Sequence, residues 1–296
     1  MQSPQLPAWI ADFLAQEGLP HTYALTIQTV VEPVATRIQS AMGKGLFVMG
    51  ICGAQGSGKS TLSAALAKVL ELRGVGVVTL SLDDLYLSHA ARQALAGKVH
   101  PLLATRGVPG THNVQAGIQL LQALGRAGRV RLPRFDKATD DPLPQDAWPE
   151  VAAPVDVVLF EGWCVGARAQ APADLVAPIN QLESVHDPDG RWRGFVNAQL
   201  QGPYADLFAK LDAFVFLRAP SFDVVADWRL EQEDKLRARL LKAGASIQGL
   251  MDEAAVRRFV AHYERVTRAL LSEAPQRADV LIQLQADRSI GDIAFY

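Results

Sequence analysis

The sequence predicts a doubly wound α/β fold, a parallel sheet with helices on both faces. Three observations carry that expectation. Short apolar runs of strand length alternate with longer segments of helical period. The short runs are apolar nearly throughout, as in strands buried on both sides. The first of them passes through a glycine-rich turn straight into a helix, which is the order of a strand–loop–helix unit.

Taken in order, Pro4 to Met42 reads as two helical pieces broken near Gly18-Leu19-Pro20, a helical extension over residues 1–44 packed on the core of the chain. Leu46 to Cys52 is the first buried strand. Lys59 to Arg73 is a helix with Leu62, Leu66, Val69 and Leu70 on one face, and Gly74 is its stop. Gly76 to Leu82 is a second strand. His89 to Asn113 reads as an irregular excursion, Val114 to Gly125 as a helix, and Val130 to Phe135 as a short strand before a loop rich in Pro and Asp. Val155 to Phe160 is a further strand, ending at Glu161-Gly162. Ala167 to Gly202 reads as a polar surface insertion and Leu211 to Leu217 as a strand. Ser221 to Ala243 and Asp252 to Glu273 are helices with charged faces, and Ala278 to Leu284 closes with a strand. Residues 45–296 thus form the main unit, with insertions near 88–113, 133–150 and 166–210. In such folds the chemistry gathers at the carboxyl ends of the strands.

The strongest chemical signal is Gly53-Ala54-Gln55-Gly56-Ser57-Gly58-Lys59-Ser60-Thr61. It matches G-x-x-x-x-G-K-[ST] through Gly53, Gly58, Lys59 and Ser60. Glycines let backbone N–H groups wrap a polyphosphate, and the helix N-terminus adds partial positive charge. Lys59 reaches the β- and γ-phosphates, and the Ser60 hydroxyl is a ligand for Mg²⁺. The chain is therefore expected to bind a nucleoside triphosphate with Mg²⁺.

Composition narrows the field. A chain of 296 residues with 49% hydrophobic and 20% charged residues suits an ordinary globular core. A net charge of −2 provides no global field for nucleic acid or anionic membrane. No apolar stretch approaches the ~20 residues of a membrane span. Met1 to Trp9 lacks the features of a secretion signal, and Cys52 and Cys164 sit in apolar contexts as packed thiols, so a cytoplasmic setting is expected. With no CxxC and no His/Cys cluster, a structural zinc site is not expected. Oligomeric state is not legible.

Three positions fall where chemistry belongs. Asp83-Asp84 follow the second strand, and a carboxylate there can take the proton of an attacking hydroxyl or hold Mg²⁺. Glu161 ends an apolar strand and is the acidic partner of the loop for Mg²⁺, with Gly162-Trp163 behind it. The helix after Pro220 carries Arg229 and Arg237, about 12 Å apart along its axis, and Arg229 is a candidate to close over phosphates. Basic residues Arg106, His112, Arg134 and Lys137 in turn-rich excursions near a phosphate site suit a small anionic substrate. The competing explanations are capping for Asp83-Asp84, a solvated strand end for Glu161, and salt-bridged or solvated surface charge for the arginines and lysine.

Gly53 to Thr61, Ser81-Leu82-Asp83-Asp84-Leu85-Tyr86, Arg106-Gly107-Val108-Pro109-Gly110-Thr111-His112, Pro133-Arg134-Phe135-Asp136-Lys137, Phe160-Glu161-Gly162-Trp163 and Trp228 to Glu233 together resemble the ATP-dependent D-glycerate 3-kinases of plants, fungi and bacteria. That family is related to phosphoribulokinase, uridine kinase and bacterial pantothenate kinase. The resemblance spans roughly residues 46–284 and implies the P-loop NTPase fold. It implies transfer of phosphate from ATP to the 3-hydroxyl of D-glycerate, with Asp83 as base, Lys59 and Arg229 in the catalytic set, and Tyr86 beside the substrate. Two positions depart from the family pattern: Asn113 stands for an Asp after Gly-Thr-His, and Asp141-Pro142 for an acidic residue followed by Arg. Other hydroxyl acceptors (a nucleoside, pantothenate, a sugar) remain open, as does a nucleotide-driven switch. No guanine-reading Asn-Lys-x-Asp segment occurs.

Overall fold

The computed structural model describes residues 6–242 and 250–296. The strands are β1 (Phe47–Gly53), β2 (Val77–Ser81), β3 (Gly128–Arg131), β4 (Phe135–Asp136), β5 (Asp141–Pro142), β6 (Glu150–Ala153), β7 (Val157–Gly162), β8 (Ala213–Arg218), β9 (Val280–Leu284) and β10 (Ile290–Phe295). Six of them form one sheet in the order β10-β9-β8-β1-β7-β2. β1 lies between β7 and β8 and is parallel to both; β2 is parallel to β7, and β9 to β8.

Alternate residues feed opposite faces. Met49, Ile51, Val157, Leu159, Val215 and Leu217 pack one way, against Leu62, Leu66 and Leu70 of the helix Lys59–Leu72 and the N-terminal helices. Val48, Cys52, Val158, Phe160, Phe214 and Phe216 pack the other way, against Leu121 and Leu124 of the helix Val114–Leu124 and against Tyr204 and Leu270. Every residue of β1 and β7 is buried, so cutting Ile51 or Phe160 back to alanine would cost ~2–5 kcal/mol. The N-terminal helices Ala8–Glu17 and Glu32–Ala41 join the first of these cores through Ile10, Val34 and Ile38.

Register decides where the site falls. Ile51 of β1 and Ser81 of β2 both pair with Glu161 of β7. The chain leaving β1, the turn leaving β2 and the Glu161 carboxylate therefore emerge side by side at one edge.

Several elements differ from expectation. The sheet is not wholly parallel, because β10 runs antiparallel to β9; its half-exposed edge residues give no buried-strand signal. The excursion after Leu87 contains a helix, His89–Lys98, capped by the Ser88 hydroxyl. Its inward side chain is Arg92, fully buried, so no apolar stripe marks it. The strand expected at 130–135 stops at Arg131, paired with β6. The insertion over 167–202 is not merely surface: its helix Arg191–Gln201 buries Trp192, Val196 and Leu200. The last long helix divides into Glu253–Ala261 and Glu264–Glu273, and between them Tyr263 turns inward. Among the described residues no helix is long and apolar enough to cross a membrane.

Candidate active site

The loop between β1 and the following helix is shaped by two glycines. Gly56 (φ 80°) and Gly58 (φ 86°) hold left-handed backbone that side chains disfavour. A Cβ on Gly56 would lie 2.8 Å from the Cβ of Trp228, so this wall of the loop also demands glycine. Gly58 is the N-cap of the helix Lys59–Leu72, whose first turn has no acidic residue. No carboxylate of its own first turn offsets its positive end, and Lys59 adds a full charge there. The buried Ser57 Oγ and Gln55 Oε1 have no partner.

Ser60 Oγ donates to Glu161 Oε1 at 3.2 Å. Glu161 is buried, and its Oε2 has no hydrogen-bond partner. A hydroxyl and a carboxylate with a spare buried oxygen, beside a phosphate loop, are the hard oxygen donors that suit Mg²⁺. Among the described residues no three His, Cys, Asp or Glu side chains gather as a metal cluster, so such an ion would take further ligands from phosphate and water.

Beyond β2 the chain makes a 3₁₀ turn, Leu82–Leu85, started by Ser81 Oγ accepting from the Asp83 N–H. The turn sends its two carboxylates to different tasks. Asp84 accepts from the Phe135 N–H and from Arg134, tying down the second excursion; burial raises its pKa against those partners. Asp83 accepts from Lys137 Nζ at 2.7 Å and from the Tyr86 hydroxyl at 3.0 Å. Burial works against its charge, but Lys137, through charge and hydrogen bond, and then Lys59 outweigh it and leave its pKa lowered. Asp83 is thus an ionised carboxylate.

Tyr86 stacks on His112 at 4.4 Å, and the two backbones form an isolated antiparallel bridge. His112 Nδ1 lies 2.5 Å from the Tyr204 hydroxyl, while its Nε2 is buried without a partner. Burial drives the His112 pKa down to about 3, with Asp83 opposing, so the ring is neutral. Burial, followed by the Asp83 charge, holds the Tyr86 phenol well above its ordinary pKa. The Trp163 indole donates to the Gly107 carbonyl and meets Tyr263 edge-on, and the Tyr263 hydroxyl donates to the Arg106 carbonyl.

The sequence candidates thus divide. Ser60 meets Glu161; Asp83 meets Tyr86 and Lys137, with His112 stacked behind. Arg134 is engaged by Asp84. Arg106, together with the buried Arg92, is engaged by Asp140, which adopts φ 60° to reach both. Arg229 pairs with the buried Glu233, which accepts from the Met251 N–H, while its neighbour Trp228 forms the wall at Gly56. Asn113, one of the two departures from the family pattern, caps the helix Val114–Leu124 by accepting from the Ala116 N–H. Asp141 accepts from the His89 N–H. Asp140, Tyr204 and Tyr263 escaped sequence reasoning, since each lies far along the chain from its partner. Clefts of about 510 and 570 Å³ lie elsewhere, around Phe214, Arg168 and Arg277 and around Arg265 and Arg268, and hold none of the candidates.

A mostly parallel sheet with a glycine loop running into a helix, and an acidic residue level with it on the neighbouring strand, defines a P-loop nucleoside-triphosphate-binding protein. Residues 48–175 match the model of the phosphoribulokinase/uridine kinase family. The uncharacterized kinase mug58 of Schizosaccharomyces pombe is 36% identical over 232 residues, 73% of this chain and 78% of that protein. The chloroplastic D-glycerate 3-kinase of Arabidopsis thaliana is 32% identical over 244 residues, 78% of this chain, and the chain spans about half (50%) of its length. The solved D-glycerate 3-kinase of Cryptococcus neoformans superposes with a TM-score of 0.70 at 26% identity, covering 94% of this chain and 100% of that one. The chain belongs to the same family of kinases as mug58, and its residues 48–175 carry the phosphoribulokinase/uridine kinase pattern.

Proposed function

We propose that the protein transfers the γ-phosphoryl group of Mg-ATP to the 3-hydroxyl of D-glycerate, giving 3-phosphoglycerate and ADP. One observation carries the reading: the ionised Asp83 carboxylate stands beside the phosphate loop with a free-reaching lysine on it, a base and an anion-binding group in one place. The D-glycerate 3-kinases among its relatives agree with it.

In this reading the loop amides and Lys59 hold the β- and γ-phosphates. Ser60 and Glu161 would hold Mg²⁺, which neutralises phosphate charge when bound. Asp83, ionised and held by Tyr86 and Lys137, takes the base role in this reading. Tyr86 fixes the angle of Asp83. Lys137 receives the substrate carboxylate, and His112, stacked on Tyr86, backs the substrate side of the site. Arg106 and Arg134 shape the excursions around it through Asp140 and Asp84. Little covalent work falls to the protein; positioning and charge neutralisation carry the rate.

The test is direct. Purified protein with Mg-ATP is offered D-glycerate, L-glycerate, glycerol, uridine and pantothenate, and ADP release and the phosphorylated product are measured. D-glycerate should be phosphorylated at carbon 3 and preferred. Preference for uridine or pantothenate would replace the proposed acceptor.

A further inference from the structure

Lys137 combines a firm backbone mount with a loosely held charge. Its ammonium rests 2.7 Å from Asp83 Oδ2, on the oxygen that the Tyr86 hydroxyl leaves free. Its side chain is 62% exposed, whereas that of Asp83 is 30% exposed. The mount is built by its neighbours. Phe135 is held through its N–H by Asp84, and Arg134 by the same carboxylate. The turn after Lys137 is closed by Asp136, which accepts from the Ala138 N–H and the Thr139 hydroxyl, and by Asp140 with its two arginines. A fixed backbone thus presents a long, flexible cation whose hydrogen-bond partner is the carboxylate that must act as base.

Resting on the glycerate reading above, we infer that Lys137 caps Asp83 in the resting enzyme and that the carboxylate of an acidic acceptor draws it off. While the ammonium sits on Oδ2, its charge lowers the basicity of the carboxylate and it competes with an alcohol for that oxygen, so the base is held weak even with ATP bound. An incoming carboxylate is a competing anion for the same ammonium. An ion pair this exposed is weak and exchanges readily, and a lysine suits the exchange because its charge is a point on a rotating stem. Once Oδ2 is free, it takes the acceptor's hydroxyl proton as that oxygen bonds to the γ-phosphorus. The bond from phosphorus to the β–γ bridging oxygen breaks, and its electron pair leaves with ADP. A neutral polyol or water cannot pull the lysine away. The cap thereby selects acids and suppresses wasteful hydrolysis.

The test compares the full chain with Lys137→Met, Lys137→Arg and the double variant Lys137→Met/Asp83→Asn. Release of inorganic phosphate from Mg-ATP is read without acceptor, and transfer with D-glycerate and with glycerol. Lys137→Met should raise acceptor-free hydrolysis about fivefold or more, raise the KM for D-glycerate about tenfold or more, and narrow the preference for D-glycerate over glycerol. Lys137→Arg, which keeps the positive charge, should hydrolyse ATP more slowly than Lys137→Met, and the double variant should lose the gain. Acceptor-free hydrolysis that is unchanged or slower in Lys137→Met overturns the cap and leaves Lys137 as a simple substrate contact. A gain that survives Asp83→Asn overturns it too. If the native protein does not use D-glycerate, the acceptor assignment fails, while the acceptor-free comparison still decides the cap.

Discussion

The Tyr204 hydroxyl lies 2.5 Å from His112 Nδ1 and at the same time accepts from the Gly110 N–H at 3.0 Å. A phenol proton directed at Nδ1 would place the imidazole proton on Nε2. One residue of the insertion thus orients a ring that backs the tyrosine on Asp83. Tyr204→Phe should leave both partners unpaired and cost about 1–3 kcal/mol of stability. At roughly 2–4 °C per kcal/mol for a chain this size, thermal unfolding will resolve it. An unchanged Tm would remove Tyr204 from this role.

His112 also makes stability depend on pH. Its folded pKa is about 3 against an ordinary 6.5. Below pH 6.5 the unfolded chain gains a proton that the folded ring refuses, so the folded state loses ground as pH falls from 6.5 toward 3. The stability is fully present above 6.5. One such ring contributes at most about 1.4 kcal/mol per pH unit. His262 is lowered by burial and acts in the same direction. Urea unfolding at pH 6.5 and 5.5 should show a steep slope that is reduced by about one proton in His112→Gln. An imidazole signal titrating near 6.5 would contradict this.

Asp83→Asn keeps the shape and the Tyr86 contact but removes the proton acceptor. Turnover should fall on the order of 10²-fold or more, with ATP affinity close to native. ADP release and calorimetric titration of nucleotide separate the two. Normal turnover would take Asp83 out of the base role.

Gly56→Ala meets two obstacles at once: a left-handed φ of 80° and a Cβ 2.8 Å from Trp228. The loop must shift or the helix Asp223–Lys242 must retreat. ATP affinity should fall about tenfold or more and stability by about 1–3 kcal/mol. Nucleotide titration that matches the native protein would mean the loop tolerates the change.

Arg229 serves Glu233 in this structure, and any contact with phosphate would be additional. Arg229→Lys should preserve the ion pair and the fold. If the guanidinium also closes on phosphate, its fork is lost and kcat drops about tenfold or more at unchanged Tm. A lysine variant with native kcat would confine Arg229 to its structural contact.

Much of this was legible in the chain because it is written locally. Gly58-Lys59-Ser60 needs only its own spacing, and Val157 to Phe160 needs only to be apolar throughout. The helix His89–Lys98 was hidden because its buried side is an arginine, and β10 because an exposed edge strand carries no stripe. The 3₁₀ turn at Asp83-Asp84 was expected to hold one acidic function. It holds two, and only the direction of each side chain separates the base candidate from the anchor.

By itself the sequence determined the phosphate loop, the buried strands around it and the acidic residues at their ends, since sterics, burial and period act over a few neighbouring residues. Tertiary structure alone decided that Lys137 rests on Asp83, that Arg92 and Arg106 spend their charge on Asp140, and that Tyr204 holds His112. Those pairings join residues 54, 48, 34 and 92 positions apart. Separations of that kind are set by strand register and by the path of the insertions, which no local pattern encodes.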